Sequence, residues 1–233
     1  MTPSTSARRA AAAFALVTAG ALLLPAAPAS AAPPVDGDLG AFAYGKTNVS
    51  GCTAHPGPTN EQKTFSSTSG KRTASVARSF RGENSGTVSA RGRVENSTSG
   101  VADADNGAFD TATFTATHLV RVNDTNPGLD CHLGALADSQ SSAVLKVNHN
   151  GRVRIEWDRG SAGQIEQIFV SRNGHTIVDK MRPSAHGSTG FDVHSGTYDV
   201  FVQFLTRVNE TDLPAGTSLT KHAHFKVAFD YHH

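Results

Sequence analysis

Two cysteines, two methionines and one tryptophan are all that the 233 residues contain of those types, and aromatic residues make up only 7%. Two cysteines exclude both a cysteine-rich zinc module and a disulfide-dense miniprotein. Long apolar runs are also missing. The longest uncharged one, 10–24, is too short for a comfortable membrane span. Charge of one sign is not in excess either: 21 basic and 20 acidic residues give +1, which makes no global electrostatic case for nucleic acid or membrane. Neither a G-x-S-x-G nucleophile elbow nor an H-E-x-x-H zinc motif occurs. Exposed aromatics look scarce, and Trp157 is expected in the core, which counts against sugar stacking.

What is present begins with a leader. Arg8 and Arg9 precede the apolar run, and Ala29-Ser30-Ala31 fits the small-x-small pattern of signal peptidase. Residues 1–31 are therefore expected to be a signal peptide, and the protein to be secreted. The arginine pair lacks the fuller motif of twin-arginine export, so general secretion is expected. The Ala-rich composition resembles that of bacteria with GC-rich genomes. The leader holds two of the 21 basic residues and no acid, so its removal leaves 19 against 20, or −1. About two hundred residues remain, enough for one good core or two small ones. Residues 32–38 read as a flexible leader and 39–233 as the folded domain, either one unit or two packed halves, 39–128 and 129–233. In an oxidising compartment Cys52 and Cys131 are expected to form one disulfide. Its loop of about 80 residues is worth roughly 4.5 kcal/mol in the chain-entropy model.

Turn chemistry punctuates short alternating segments, and no amphipathic helix stands out. The segment 48–60 reads as a loop. Strands are expected at 72–80 and 86–94. A clearer one spans 109–122, where Phe114, Ala116, His118, Val120 and Val122 share a side opposite threonines. Two hairpins are predicted, 143–147 with 152–158, and 165–171 with 175–181. The second turns on Asn173-Gly174, a pair suited to the positive φ that a tight hairpin requires. The last strands are 197–205 and 218–231, with Phe225, Val227 and Phe229 on the core side. Val153, Trp157, Val200 and Val202 are also expected to be buried. The class is all-β, an antiparallel jelly-roll-like β-sandwich.

The succession I-E-Q-I-F-V-S-R-N-G-H-T-I-V-D-K and then F-D-V-H-S-G-T-Y-D-V-F-V-Q-F resembles the pre-peptidase C-terminal β-sandwich modules of secreted bacterial peptidases. The likeness covers 143–231. It implies a β-sandwich accessory module without catalytic residues, although here no peptidase is expected ahead of it.

Candidate chemistry is sparse. His222 and His224 have the strand spacing that points both imidazoles one way, a start for a zinc site, with Asp230 or His232 as further ligands and Lys226 opposing a dication. Asp103, Asp105, Asn106 and Asp110 around Gly107 gather oxygen ligands of the kind calcium takes, off the EF-hand spacing; the same residues make ordinary turns. Glu156 and Asp158 share a strand face, where neighbouring arginines favour ion pairing over catalysis. Arg72, Arg78, Arg81, Arg91 and Arg93 with Lys71 form a basic region that would suit an anionic polymer or lie as a solvated face. Asn48, Asn96, Asn123 and Asn209 stand in N-x-S/T sequons and read as plain turn and strand residues.

The expectation is a non-enzymatic binding or accessory module acting at the cell surface or on extracellular polymer, possible partners including cell-wall polysaccharide. The alternatives are a small secreted hydrolase with a site assembled from scattered residues and a structural cell-envelope protein. No cofactor is expected beyond zinc or calcium at the places named.

Overall fold

The computed structural model describes residues 32–47, 51–126, 131–160, 162–214 and 216–233. The proposed signal peptide lies outside them. The described residues contain strands and no helix, and 33–233 form one compact unit. The strands are β1 (Val35–Thr47), β2 (Cys52–His55), β3 (Thr59–Ser66), β4 (Arg72–Asn84), β5 (Thr87–Asp105) and β6 (Ala108–Asp124). After these come β7 (Leu133–Val147), β8 (Gly151–Arg159), β9 (Gln164–Arg172), β10 (His175–Met181), β11 (His186–Val193), β12 (Gly196–Val208) and β13 (Ser218–His232). They form two antiparallel sheets. Sheet A runs β10-β9-β12-β7-β1-β3 and sheet B runs β11-β8-β13-β6-β5-β4-β2. Their inner faces pack into a sandwich, as the alternation predicts.

Phe225, Val227 and Phe229 are 3% exposed or less, and Val153, Trp157, Val200 and Val202 join them in the core. The phase of β13 is thus as read from the sequence, with His222, His224 and Lys226 exposed on the other side. Phe114 meets Phe65 and Phe229 edge to face at 5.7 and 6.0 Å between centroids, an arrangement that suits the ring quadrupoles. Cys52 and Cys131 are bonded with Cα atoms 5.9 Å apart, tying edge strand β2 of sheet B to the segment that enters β7 of sheet A.

Three expectations are corrected. The hairpin predicted at 143–158 is a crossover: β7 pairs with β1 and β12, whereas β8 pairs with β11 and β13 in the other sheet. Alternation marks a strand without naming its partner, and this connection is long enough to change sheets. The segment 32–38 is not all leader, because β1 opens at Val35, which is fully buried. The loop expected at 48–60 contains β2 and the start of β3. β1 hides behind its glycines, whose lack of a side chain makes room for large partners across the core. A Cβ on Gly37 would stand 2.7 Å from the Phe65 ring, and one on Gly45 2.6 Å from the Phe80 ring. The 165–181 hairpin forms as predicted, with Asn173 at φ 51° and Gly174 at φ 78°.

The apolar core is divided. One cluster holds Phe65, Phe114, Phe204, Phe225 and Phe229; a smaller one holds Phe80, Val94, Val120, Leu133 and Val208. Between them, each of four strands places a polar residue inward: Asn96 on β5, His118 on β6, Ser139 on β7 and Thr206 on β12. All four are 3% exposed or less.

Candidate functional site

The outward positions of sheet A make the most ligand-like surface. On β1, the residues between buried Ala41, Ala43 and Leu39 face out, which places Phe42 and Tyr44 on this side, half-buried and stacked at 6.3 Å with 15° between planes. Gly40 permits this, since a Cβ there would come within 2.7 Å of the Phe42 ring. A second pair stands two strands away. Phe201 of β12 is the register partner of Phe169 of β9, and both are half-buried between core neighbours on their own strands. The aromatic content is low, yet two pairs of rings share one face. Alternation alone puts Phe42 and Phe201 on the side away from the core, but only once β1 is seen to be a strand.

Between the two aromatic pairs lies a carpet of amides around one carboxylate. Phe42 and Leu205 flank Asp138 in register on either side, and the Asp138 residue is only 7% exposed although it faces outward. Its two oxygens accept from Gln203 and Gln140, each at 3.0 Å. Burial pushes the carboxyl above the usual aspartate range; the two glutamine hydrogen bonds work against that shift, and nearby Glu166 adds to it. Burial, and then the Asp138 charge, also raises the Tyr44 phenol. Further out, Gln164 donates to Glu166 at 2.6 Å and Gln167 donates to Asp179 at 2.9 Å. Arg182 pairs with Glu166 at 2.9 Å. The side chains are thus held by one another before any ligand arrives, which lowers the ordering cost of binding.

The buried polar layer sits directly behind this place. The Asn96 amide reaches from sheet B and donates to the carbonyls of Phe42 (3.0 Å) and Asp138 (2.6 Å), a register pair of sheet A. The Ser139 hydroxyl donates to Asn96 Oδ1 at 2.6 Å. Its single proton is thereby used, so His118 Nε2, 2.9 Å away, must be the donor to Ser139. His118 Nδ1 then accepts from Thr206 at 3.0 Å. Burial drops the imidazole to about 3, so the ring is neutral at ordinary pH. A hydrolase would need the opposite polarity, with the serine proton moving to histidine and a carboxylate behind the ring. Here the serine points its proton at an amide and the ring backs onto a threonine. The four residues brace the two sheets from inside the core.

The sites expected from the sequence fall elsewhere. His222 and His224 share the outer face of sheet B, opposite Leu119 and Thr117. With Ser75, Ser97, Thr117 and Glu95 they line an open groove of about 400 Å³. Among the described residues, no three His, Cys, Asp or Glu side chains gather closely enough to hold a metal ion. Asn106-Gly107 forms the β5–β6 hairpin turn at φ 49° and 75°, and Asn106 donates to Asp105 at 3.0 Å. Glu156 pairs with Arg154, and Asp158 pairs with His186 at 2.7 Å. Asn96 is buried in the brace, whereas Asn48 lies outside the described residues. One spacing escapes the sequence reading: 40–47 reads G-A-F-A-Y-G-K-T, the spacing of a phosphate-binding loop. It is extended backbone paired along its length with β7, and among the described residues no helix stands after it to complete a phosphate cradle.

Among the described residues, no helix is long and apolar enough to cross a membrane. No family model matches the chain, and no curated protein matches it, so the likeness of 143–231 to pre-peptidase C-terminal modules stands on its strand motifs alone. Among solved structures the chain is similar to the secreted serine protease VesC from Vibrio cholerae, at 9% identity and a TM-score of 0.24, over 69% of this chain and 48% of that one. It is also similar to the GH31 alpha-xylosidase Xac1773 from Xanthomonas citri, at 8% identity and a TM-score of 0.18, over 73% of this chain and 29% of that one. The matched region therefore spans less than half of either neighbour's length.

Proposed function

We propose that this chain is a secreted, non-enzymatic binding β-sandwich that takes a neutral polysaccharide on the outer face of sheet A. The observation that carries the reading is the pairing of Phe42–Tyr44 and Phe169–Phe201 across a floor of Gln140, Gln203 and Asp138. A pyranose ring offers apolar C–H faces and a rim of hydroxyls. Half-exposed aromatic rings match the first, and amides with a fixed carboxylate match the second. Exposed Asp36, Asp38, Asp179 and Asp199 share this face with exposed Lys46, Lys146 and Arg207, a mixed charge that suits a neutral polymer rather than an acidic one. The leader pattern and a disulfide closing 79 residues of chain support export, and the strand motifs of 143–231 support an accessory module.

The test is retention of the purified domain on cellulose, xylan and mannan. The expected result is retention on at least one, weakened about tenfold or more in the Phe42→Ala/Phe201→Ala double variant. No retention on any of the three, or equal retention of the double variant, removes the proposal.

A further inference from the structure

The outer face of sheet B carries a feature that its own fold does not explain. Arg81 of β4 is the register partner of Arg91 of β5, and one step along, Arg93 of β5 is the partner of Arg121 of β6. Their inward neighbours Phe80, Gly92, Val94, Val120 and Val122 are buried, so all four guanidinium groups leave the same side, and all four residues are exposed. Like charges directly opposite on paired strands destabilise a sheet. Two carboxylates answer part of this charge. Glu83 pairs with Arg81, and Glu95 pairs with Arg93 at 2.7 Å. Arg91 and Arg121 have no carboxylate partner among the described residues. No further carboxylate stands in these rows: Ser79 and Thr220 lie in the Arg93–Arg121 row, Asn123 and Ser218 beside Arg91, and His55 beside Arg81.

We propose that this arginine block is a second binding site, on the face opposite the first, for a linear acidic polysaccharide. Guanidinium forks suit carboxylates held at the surface of a polymer. Strands about 4.8 Å apart set neighbouring forks at a spacing that a repeating anion can bridge. The next row away from the block, Ala77–Glu95–Leu119–His222, opens into the groove lined by Ser75, Ser97, Thr117, His222 and His224, where the Glu95 carboxylate is held by Arg93. Anion-binding groups therefore pass into hydroxyl and imidazole groups along one surface, matching a chain that alternates carboxylates with hydroxyls. Nucleic acid fits less well, because no Phe, Tyr or Trp stands in these rows to stack successive bases.

The probe is polygalacturonate, titrated into the full exported chain by calorimetry, with its fully methyl-esterified form and a mixed-sequence DNA oligonucleotide as controls. Binding to polygalacturonate is expected to weaken with added salt and to disappear with the esterified polymer. It should fall about tenfold or more in Arg91→Gln/Arg121→Gln. Arg207→Gln, an exposed arginine of sheet A, should bind as the parent does. The double variant should also melt no lower than the parent, since it relieves opposed charges, and this separates lost binding from lost folding. The Phe42→Ala/Phe201→Ala variant should retain full polygalacturonate binding, so this site and the sheet A site fail independently. No binding of polygalacturonate, binding that survives the arginine substitutions, or tighter binding of DNA overturns the proposal.

Discussion

The two outer faces of the sandwich are built from the same alternating strands and differ in almost everything that a ligand would meet. Sheet A presents paired aromatic rings, glutamines and carboxylates, with the buried Asp138 capped by two amides. Sheet B presents serine, threonine and histidine, with guanidinium groups gathered toward one end of β4, β5 and β6. The polar groups around Asp138 and Glu166 on sheet A are held by one another, whereas Arg91 and Arg121, within the arginine block of sheet B, lack a carboxylate among the described residues. The lesson is that a near-neutral chain can still gather charge of one sign into a local block. Net charge sums over a surface that a ligand samples only locally.

Both faces rest on one core, so the comparison breaks first if the core is disturbed. The largest expected effect is acid loss of stability through His118. Its folded value of about 3 lies below the ordinary 6.5. The unfolded chain therefore takes up the proton first, and stability that is complete above 6.5 is lost as the pH falls toward 3. At about 1.4 kcal/mol per unit this amounts to about 4–5 kcal/mol over the whole window, of which about 2 kcal/mol is gone by pH 5. Asp138 works the other way. Its raised carboxyl favours the folded state on acidification, which offsets part of the loss near its own titration. Urea unfolding at a series of pH values measures the slope, and His118→Leu should flatten it between 6.5 and 4. An unchanged slope in that variant would show that another group controls acid stability.

Next in size is a contrast across one strand. Phe225 is 3% exposed beneath sheet B, stacked on Phe204 at 5.0 Å and beside His118 at 5.0 Å. Phe225→Ala should cost about 3–5 kcal/mol. Lys226, one residue on and exposed, should change stability by no more than about 0.5 kcal/mol as Ala. Chemical denaturation of both variants decides it, and comparable losses would mean that the face assignment of β13 is wrong.

A more modest effect on stability than that of Phe225→Ala separates the faces themselves. Phe42→Ala/Phe201→Ala should weaken polysaccharide retention about tenfold and cost only about 1–2 kcal/mol, since both rings are half-buried. Gln203→Ala frees one Asp138 oxygen and should cost about 1 kcal/mol, with a further rise in the Asp138 carboxyl measurable by NMR titration. Were the sheet A variants to lose polygalacturonate binding as well, the two faces would not be separate sites.

How far the sequence alone reached can be followed residue by residue. Period-two alternation in β8, β12 and β13 placed Val153, Val202 and Phe225 in the core correctly, because burial of one face leaves its mark on every second residue. The Asn173-Gly174 turn was legible because positive φ restricts which residues can occupy it. The paired cysteines were legible because they were the only two. Strand β1 was not, since its glycines and aspartates have turn composition, and their purpose appears only beside Phe65 and Phe80. The aromatic face followed β1 into obscurity. Facing arginines were visible as a basic stretch, but Arg121 joined them only through the pairing of β5 with β6.

By itself, the sequence determined the all-β class, the single disulfide and the core side of the strongly alternating strands, since these rest on local periodicity and on a pairing with no competitor. Tertiary structure alone decided which strands are neighbours and which sheet each joins. That choice set Asn96 beneath Phe42 and Asp138, brought Phe169 beside Phe201, and turned β7 and β8 from a hairpin into a crossover. The physical reason is that strand pairing is made by backbone hydrogen bonds, which every residue except proline supplies alike. Partner choice is therefore settled by how whole faces pack rather than by any short stretch of chain.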